Sequence, residues 1–250
     1  MIGIVVVSHS PALAQAAVDL SLEMVPGTRP AIAVAAGSGD GLIGTDAVRV
    51  AAAIDEVASP DGVLVVMDLG SAVMSAEMAL DFRESEVEVR LSAAPFVEGL
   101  LAAIVTAAGG ASLAEVDREA VAALAPKRAS LGTEQPASEP DHGESAPLAA
   151  AAGSELSEDL TIINADGLHA RPASTLVSTI SGFDAKVTIA NRRLTTAPVA
   201  GNSLIGLLSL GAKPGDVLTV SASGPQAADV LAKVKELVTS AFGEEVAPAK

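Results

Sequence analysis

Apolar residues fall first into short, nearly unbroken runs. Residues 2–7, 31–36 and 62–67 read as strands covered on both faces, and residues 86–91 as a weaker fourth. Between these runs, residues 11–24, 45–57, 71–82 and 95–108 have helical length. Thr45 and Ser71 stand where N-caps belong, and Pro11 and Pro95 suit a first helical turn. Ser112 followed by Glu115 reads as a capping box opening a further helix. This β-α-β-α order predicts an α/β domain over residues 1–125, an open and mostly parallel sheet with helices on both faces.

The pattern then breaks. Residues 126–158 lose their apolar periodicity, and Pro126, Pro136, Pro140 and Pro147 are scattered among Ala, Ser, Glu and Gly. The segment reads as a flexible linker that keeps two domains at high effective concentration. Periodicity returns over residues 159–244. Strands are expected at 159–164, 185–190 and 217–222, with a short strand or turn at 193–197. Helices are expected at 170–181, 203–210 and 225–242. That order predicts an α+β open-faced sandwich, one antiparallel sheet covered by helices.

Composition sharpens the picture. Half the residues are hydrophobic but only 2% are aromatic, with neither Trp nor Tyr, so the cores are built from Ala, Val, Leu and Ile. The net charge of -16 is concentrated at the front: residues 1–125 hold 17 acids against 5 bases, whereas residues 159–250 hold 8 of each. An acidic half without a basic patch argues against nucleic acid and anionic membranes as partners. The absence of Cys excludes disulfides and thiolate metal sites. The apolar N-terminus is short, lacks a basic flank and soon reaches Ser8, His9 and Ser10, so it reads as a strand, not a signal peptide. No apolar run is of membrane length, and a cytoplasmic protein is expected.

The chain has three histidines. His142 lies in the linker among acids and is assigned no role. His9 and His169 each follow an expected strand and precede an expected helix. A helix start presents unpaired N–H groups and the positive end of the helix dipole, a ready site for an anion. An imidazole placed there can accept a phosphoryl group, and the labile P–N bond suits a relay. Arg171, two residues beyond His169, can grip a phosphate with its planar fork, and Pro172 fits the first turn. Around His9, the loops after the second and third strands should gather at the same sheet edge. From them Asp68 can hold the second ring nitrogen, Gly39 can join an anion nest, and Ser71 and Thr45 can donate hydroxyl bonds. No metal or other cofactor is required.

The run Gly167-Leu168-His169-Ala170-Arg171-Pro172-Ala173-Ser174, with residues 203–210 and Gly215-Asp216, resembles HPr, the histidine phosphocarrier of the bacterial phosphoenolpyruvate phosphotransferase system. The resemblance covers roughly residues 158–243. It implies that His169 carries phosphate and that Arg171 stabilises it. It also aligns Ser203 with the regulatory serine of some carriers, although Asn202 stands where a Lys is usual; capping the short helix is its other reading.

Residues 1–125, through Val7-Ser8-His9-Ser10 and Asp68-Leu69-Gly70-Ser71-Ala72, resemble the mannose-type enzyme IIA domains. Within that group they look most like the phosphotransferase subunits of dihydroxyacetone kinase complexes. That resemblance implies a homodimer formed by the N-terminal domain. It also implies transfer from His9 to ADP on a partner subunit L, which phosphorylates dihydroxyacetone held by subunit K. Some members carry a third, enzyme I-like domain. Since the sequence stops at Lys250, a separate enzyme I, or free HPr, is expected to supply the phosphate. Two alternatives are a mannose-family sugar transporter component and a regulatory module that reports phosphorylation state.

Overall fold

In the computed structural model, described for residues 1–250 apart from 26, 40, 41, 132–154, 195, 196 and 248–250, β1 (Gly3–Ser8) is buried at every position. Its alternate residues serve two cores. Ile4 and Val6 face one layer of helices, and Val5 and Val7 face the other. Such a strand has no polar face, which is why its sequence reads as an uninterrupted apolar run.

The first half continues through α1 (Pro11–Glu23), β2 (Ile32–Ala36), α2 (Ala47–Glu56), β3 (Val63–Met67), α3 (Gly70–Phe82), β4 (Val89–Leu91), α4 (Phe96–Ala108), α5 (Leu113–Ala122) and α6 (Ala125–Ser130). The four strands pair in parallel in the order β2-β1-β3-β4. Helices α1 and α4 cover one face, and α2 and α3 the other. The chain leaves β1 toward β2 on one side and later returns to β3 on the other. The carboxyl ends of β1 and β3 therefore flank the switch point where open α/β sheets hold ligands.

The second half runs β5 (Leu156–Thr161), α7 (Ala170–Ser181), β6 (Lys186–Asn191), β7 (Val199–Ala200), α8 (Leu204–Ser209), β8 (Val217–Ser223) and α9 (Ala227–Thr239), closed by a 3₁₀ turn at Ala241–Gly243. Its antiparallel sheet has the order β5-β8-β6-β7. Along β8 every second residue is buried, the pattern of a sheet with one covered face. Helices α7 and α9 pack together on that face.

Both fold classes agree with the sequence reading, and local details differ. Asp46, not Thr45, caps α2: its carboxylate accepts from Val48 and Arg49 N–H at 2.8 and 3.2 Å. Ser71 lies inside α3, whose N-cap is Leu69. The strand expected at 159–164 begins earlier, at Leu156, and the short strand near 193–197 forms instead at Val199–Ala200. The helix expected over 225–242 stops at Thr239, before the turn at Ala241–Gly243.

Part of the range read as linker is the helix α6, which packs on α8. Residues 132–154, with His142 among them, lie outside the described residues. The two halves share one continuous apolar core, because α4 lies between the parallel sheet and the pair α7 and α8. α4 is suited to this double contact, since eight of its thirteen residues are buried, most of them small or branched. Among the described residues no helix is long and apolar enough to cross a membrane.

Candidate functional site

His9 follows β1 and Asp68 follows β3, so the switch point brings them together. Asp68 Oδ1 lies 2.9 Å from His9 Nδ1, while Asp68 Oδ2 accepts from His9 N–H at 2.8 Å and from the Ser8 hydroxyl at 2.9 Å. Asp68 is nearly covered and the His9 side chain is 20% exposed. Burial works to raise the Asp68 carboxyl. The bonds from the His9 N–H, the His9 ring and Ser8 outweigh it and hold Asp68 below the usual carboxylate range. An ionised Asp68 places the ring proton on Nδ1 and leaves Nε2 with its lone pair.

His9 Nε2 lies 2.9 Å from Ser71 Oγ, on the first turn of α3. The helix start facing His9 Nε2 is therefore that of α3. Sequence adjacency points to α1 instead, but α1 is capped by Ser10, whose hydroxyl accepts from Leu13 N–H at 3.3 Å. The N-cap of α3, Leu69, has no side chain able to satisfy the first N–H groups, so these stay available to an anion beside Nε2.

The loop after β2 is tied to the same edge: Gly37 N–H donates to Ser8 O at 3.1 Å and Gly44 N–H to His9 O at 3.1 Å. Gly39 takes a left-handed φ of 99° in this loop, and no described hydrogen bond joins it to His9. The Thr45 hydroxyl is engaged with Ser75 Oγ at 2.8 Å, one turn further along α3, so it braces the loop against α3 and makes no bond to the imidazole.

His169 is the N-cap of α7 and its ring makes no capping bond. The first intrahelical bond is Ala173 N–H to His169 O, 3.0 Å, which leaves the N–H groups of Ala170 and Arg171 at an open helix start. Gly167, with φ 70°, makes the turn before it. A Cβ there would stand 2.3 Å from Ala212 O, so the position admits only glycine. Arg171 is exposed and has no hydrogen bond or ion pair among the described residues. It borders the same shallow pocket of about 460 Å³ as His169, along with Glu244 and Met24.

Glu244 was not legible as a site residue. Its carboxylate oxygens lie 3.0 and 3.1 Å from His169 Nε2. Ser203 caps α8 by accepting Gly206 N–H at 2.9 Å, and its hydroxyl also reaches Glu119 on α5 in the other half.

The two histidines stand far apart. His9 precedes the first residue of α1, whereas Met24, just past its last, lines the His169 pocket. Thirteen helical residues span about 20 Å.

Two families match successive parts of the chain. The family described as "PTS system fructose IIA component" matches residues 3–117, and "PTS HPr component phosphorylation site" matches residues 156–240. Over 248 residues the chain is 43% identical to the PEP-dependent dihydroxyacetone kinase phosphoryl donor subunit DhaM of Pantoea ananatis, covering 98% of this chain and 51% of that protein. Over 123 residues it is 35% identical to the phosphoryl donor subunit DhaM of PEP-dependent dihydroxyacetone kinase 2 of Listeria innocua, covering 48% of this chain and 94% of that one. A crystal structure of an HPr from Thermoanaerobacter tengcongensis is 33% identical, covering 36% of this chain and 98% of that one, with a TM-score of 0.34. The chain thus spans about half the length of the curated relatives that it matches end to end.

Proposed function

We propose that this chain, which belongs to the DhaM family of phosphoryl donor subunits, relays phosphate from phosphoenolpyruvate through His169 and then His9 to ADP held by a dihydroxyacetone kinase partner. The observation that carries the reading is His9 itself. Its ring is partly open to solvent, Asp68 holds the Nδ1 proton, and Nε2 faces the uncapped start of α3.

Each step breaks one bond to phosphorus as it forms another: N–P gives way to N–P at the two histidines, and N–P to O–P at ADP. The Nδ1 lone pair of His169 attacks the phosphoryl group of phosphorylated enzyme I, and the electron pair of the broken bond stays on the donor nitrogen. His9 Nε2 then takes the group from His169. The β-phosphate oxygen of ADP on subunit L takes it last, giving the ATP that phosphorylates dihydroxyacetone on subunit K. The chain's own residues supply placement and charge. Asp68 offsets the positive charge that grows on the His9 imidazole as the N–P bond forms. Amides at the starts of α3 and α7, with the guanidinium of Arg171, meet the phosphoryl oxygens.

A homodimer through the first half belongs to the same reading. Met74, Met78 and Phe82 form an exposed apolar stripe along α3, and Leu69 and Ile43 are exposed beside the site, which supports protein partners on this face. The fructose-type family match over residues 3–117 favours, as a second reading, a component of a sugar phosphotransferase system.

The test is incubation of the full chain with enzyme I and labelled phosphoenolpyruvate, followed by subunits L and K, ADP and dihydroxyacetone. Acid-labile label is expected on both histidines and dihydroxyacetone phosphate as product. His9→Ala should keep label on His169 and yield no product. Full turnover by a chain lacking both histidines would overturn the relay, and label passing only to a sugar permease component would select the second reading.

A further inference from the structure

The segment after α9 makes an unusual reversal. Ala241, Phe242 and Gly243 all take left-handed backbone angles, with φ of 52°, 55° and 75°. Two consecutive non-glycine residues in this region are strained and persist only where surrounding contacts hold them. Here the chain returns and pairs with the segment before His169. Ala165 N–H donates to Glu245 O at 2.9 Å, Ala247 N–H donates to Ile163 O at 2.8 Å, and Asn164 bridges to Val246. The return brings the Glu244 carboxylate to His169 Nε2.

Glu244 is itself held. Asn164, fully buried, donates through Nδ2 to Glu244 Oε2 at 2.9 Å and to Gly167 O at 2.7 Å. One amide thus fixes both the carboxylate and the loop that carries the histidine. Among the described residues the one polar contact of His169 Nε2 is this carboxylate, and an ionised carboxylate accepts a hydrogen bond and donates none. The ring proton therefore sits on Nε2, and Nδ1 carries the lone pair. At the other site Asp68 does the reverse, holding Nδ1 and freeing Nε2. Residues 241–247 lie beyond the part matched by the HPr family, which ends at residue 240.

We infer that Glu244 is the positioning residue of the second site: it selects Nδ1 of His169 as the phosphate-bearing nitrogen and balances the positive charge on the phosphorylated ring. The inference deepens the relay reading and rests on it. As the Nδ1–P bond forms, the ring keeps its Nε2 proton and becomes cationic beside the dianionic phosphoryl group. A carboxylate 3 Å away then favours the charged ring over the neutral one. The phosphoryl group leaves by the reverse path, with the Nδ1–P electron pair returning to Nδ1.

The experiment loads the full chain from phosphoenolpyruvate and enzyme I, for the wild type and for Glu244→Ala, Glu244→Gln and Glu244→Asp. The rate at His169 is followed by peptide mapping, and the phosphohistidine isomer by ³¹P NMR. The wild type is expected to give Nδ1-phosphohistidine alone at His169. Glu244→Ala should slow loading about tenfold or more and divert part of the label to Nε2. Glu244→Gln, which still offers an oxygen to the Nε2 proton, should keep the Nδ1 isomer while remaining slow, and Glu244→Asp should recover part of the rate. If Glu244→Ala loads at the wild-type rate with one isomer, the inference fails while the relay stands. If Ala and Gln are equally slow with no isomer change, Glu244 is only a brace for the segment and the inference also fails. A wild type that takes up no label at His169 removes the relay itself.

Discussion

Glu119, on α5 of the first half, receives the Ser203 hydroxyl of the second, its two carboxylate oxygens lying 2.9 and 2.8 Å from Ser203 Oγ. The same carboxylate takes Ile205 N–H at 3.3 Å, so an acid of one half sits at the first turn of α8 in the other. Ser203 is therefore a helix cap and a fastener between halves at once.

Removing the hydroxyl tests both duties. Ser203→Ala should cost about 1–2 kcal/mol, the sum of a lost cap and a charged acceptor left without its donor. The urea midpoint reads this directly. Ser203→Asp should act further, because it sets like charges face to face. It should pull the halves apart and enlarge the radius measured by X-ray scattering; an unchanged radius would show that the fastener does not govern the docking.

Asp68→Asn keeps the size of the side chain but removes the charge that fixes the His9 tautomer. Phosphate uptake at His9 should fall by about two to four powers of ten, with loading of His169 unaffected. Rapid-quench labelling of each histidine separates the two. Equal loss at both sites would mean a general defect of folding.

The acid limb of stability follows from Asp68 and Asp216, both held below the ordinary value of 3.8. At each, burial pulls upward and hydrogen bonds prevail: from His9 and Ser8 at Asp68, and from Lys213 N–H, Asn191 and Arg193 at Asp216. A carboxyl whose folded pKa lies below its unfolded one stabilises fully above the unfolded value, and the gain is lost as pH falls through the folded value. Urea midpoints should thus be flat above about pH 5 and decline steadily below pH 4. Asp216→Asn should start lower and decline less steeply. A slope equal to that of the wild type would exonerate Asp216.

Arg171 is exposed and has no partner among the described residues, so Arg171→Ala should leave the stability within about 0.5 kcal/mol of the wild type. Loading of His169 should nevertheless slow by about tenfold to a hundredfold, if the guanidinium meets the phosphoryl oxygens as proposed. Arg171→Lys should recover only part, since an ammonium lacks the planar fork.

What could be read from the chain, and what could not, divides by the range of the interaction. The apolar runs of β1 and β3 and the position of His9 are local facts. Once parallel order is inferred, Asp68 follows, because loops after adjacent strands share an edge. Ser71 belongs to the site by its loop, but its duty depends on where α3 begins, and a cap two residues earlier, at Leu69, turns an expected cap into a first-turn hydroxyl. Thr45 lost its expected cap to Asp46 next door, a choice that two suitable neighbours leave open in sequence. Glu244 lies 75 positions from His169 and reaches it through a backbone reversal that neither Ala241 nor Phe242 advertises. Helix α6 is short and holds Pro126, which propensity reads as a break although proline suits a first turn.

The span of α1 predicts who hands phosphate to whom. With the halves docked, His169 cannot reach His9 of its own chain across about 20 Å. Mixing a His9→Ala chain with a His169→Ala chain should restore product formation to a sizeable fraction of the wild type, dependent on total protein concentration. No restoration would require the halves of a single chain to separate at each turnover.

Helix α1 thus works as a spacer as well as a wall of the core. In the relay proposed above, intake and outlet lie at the two ends of this helix, so a supplier seated at the first does not crowd a customer at the second. On that reading, charging and discharge need not take turns.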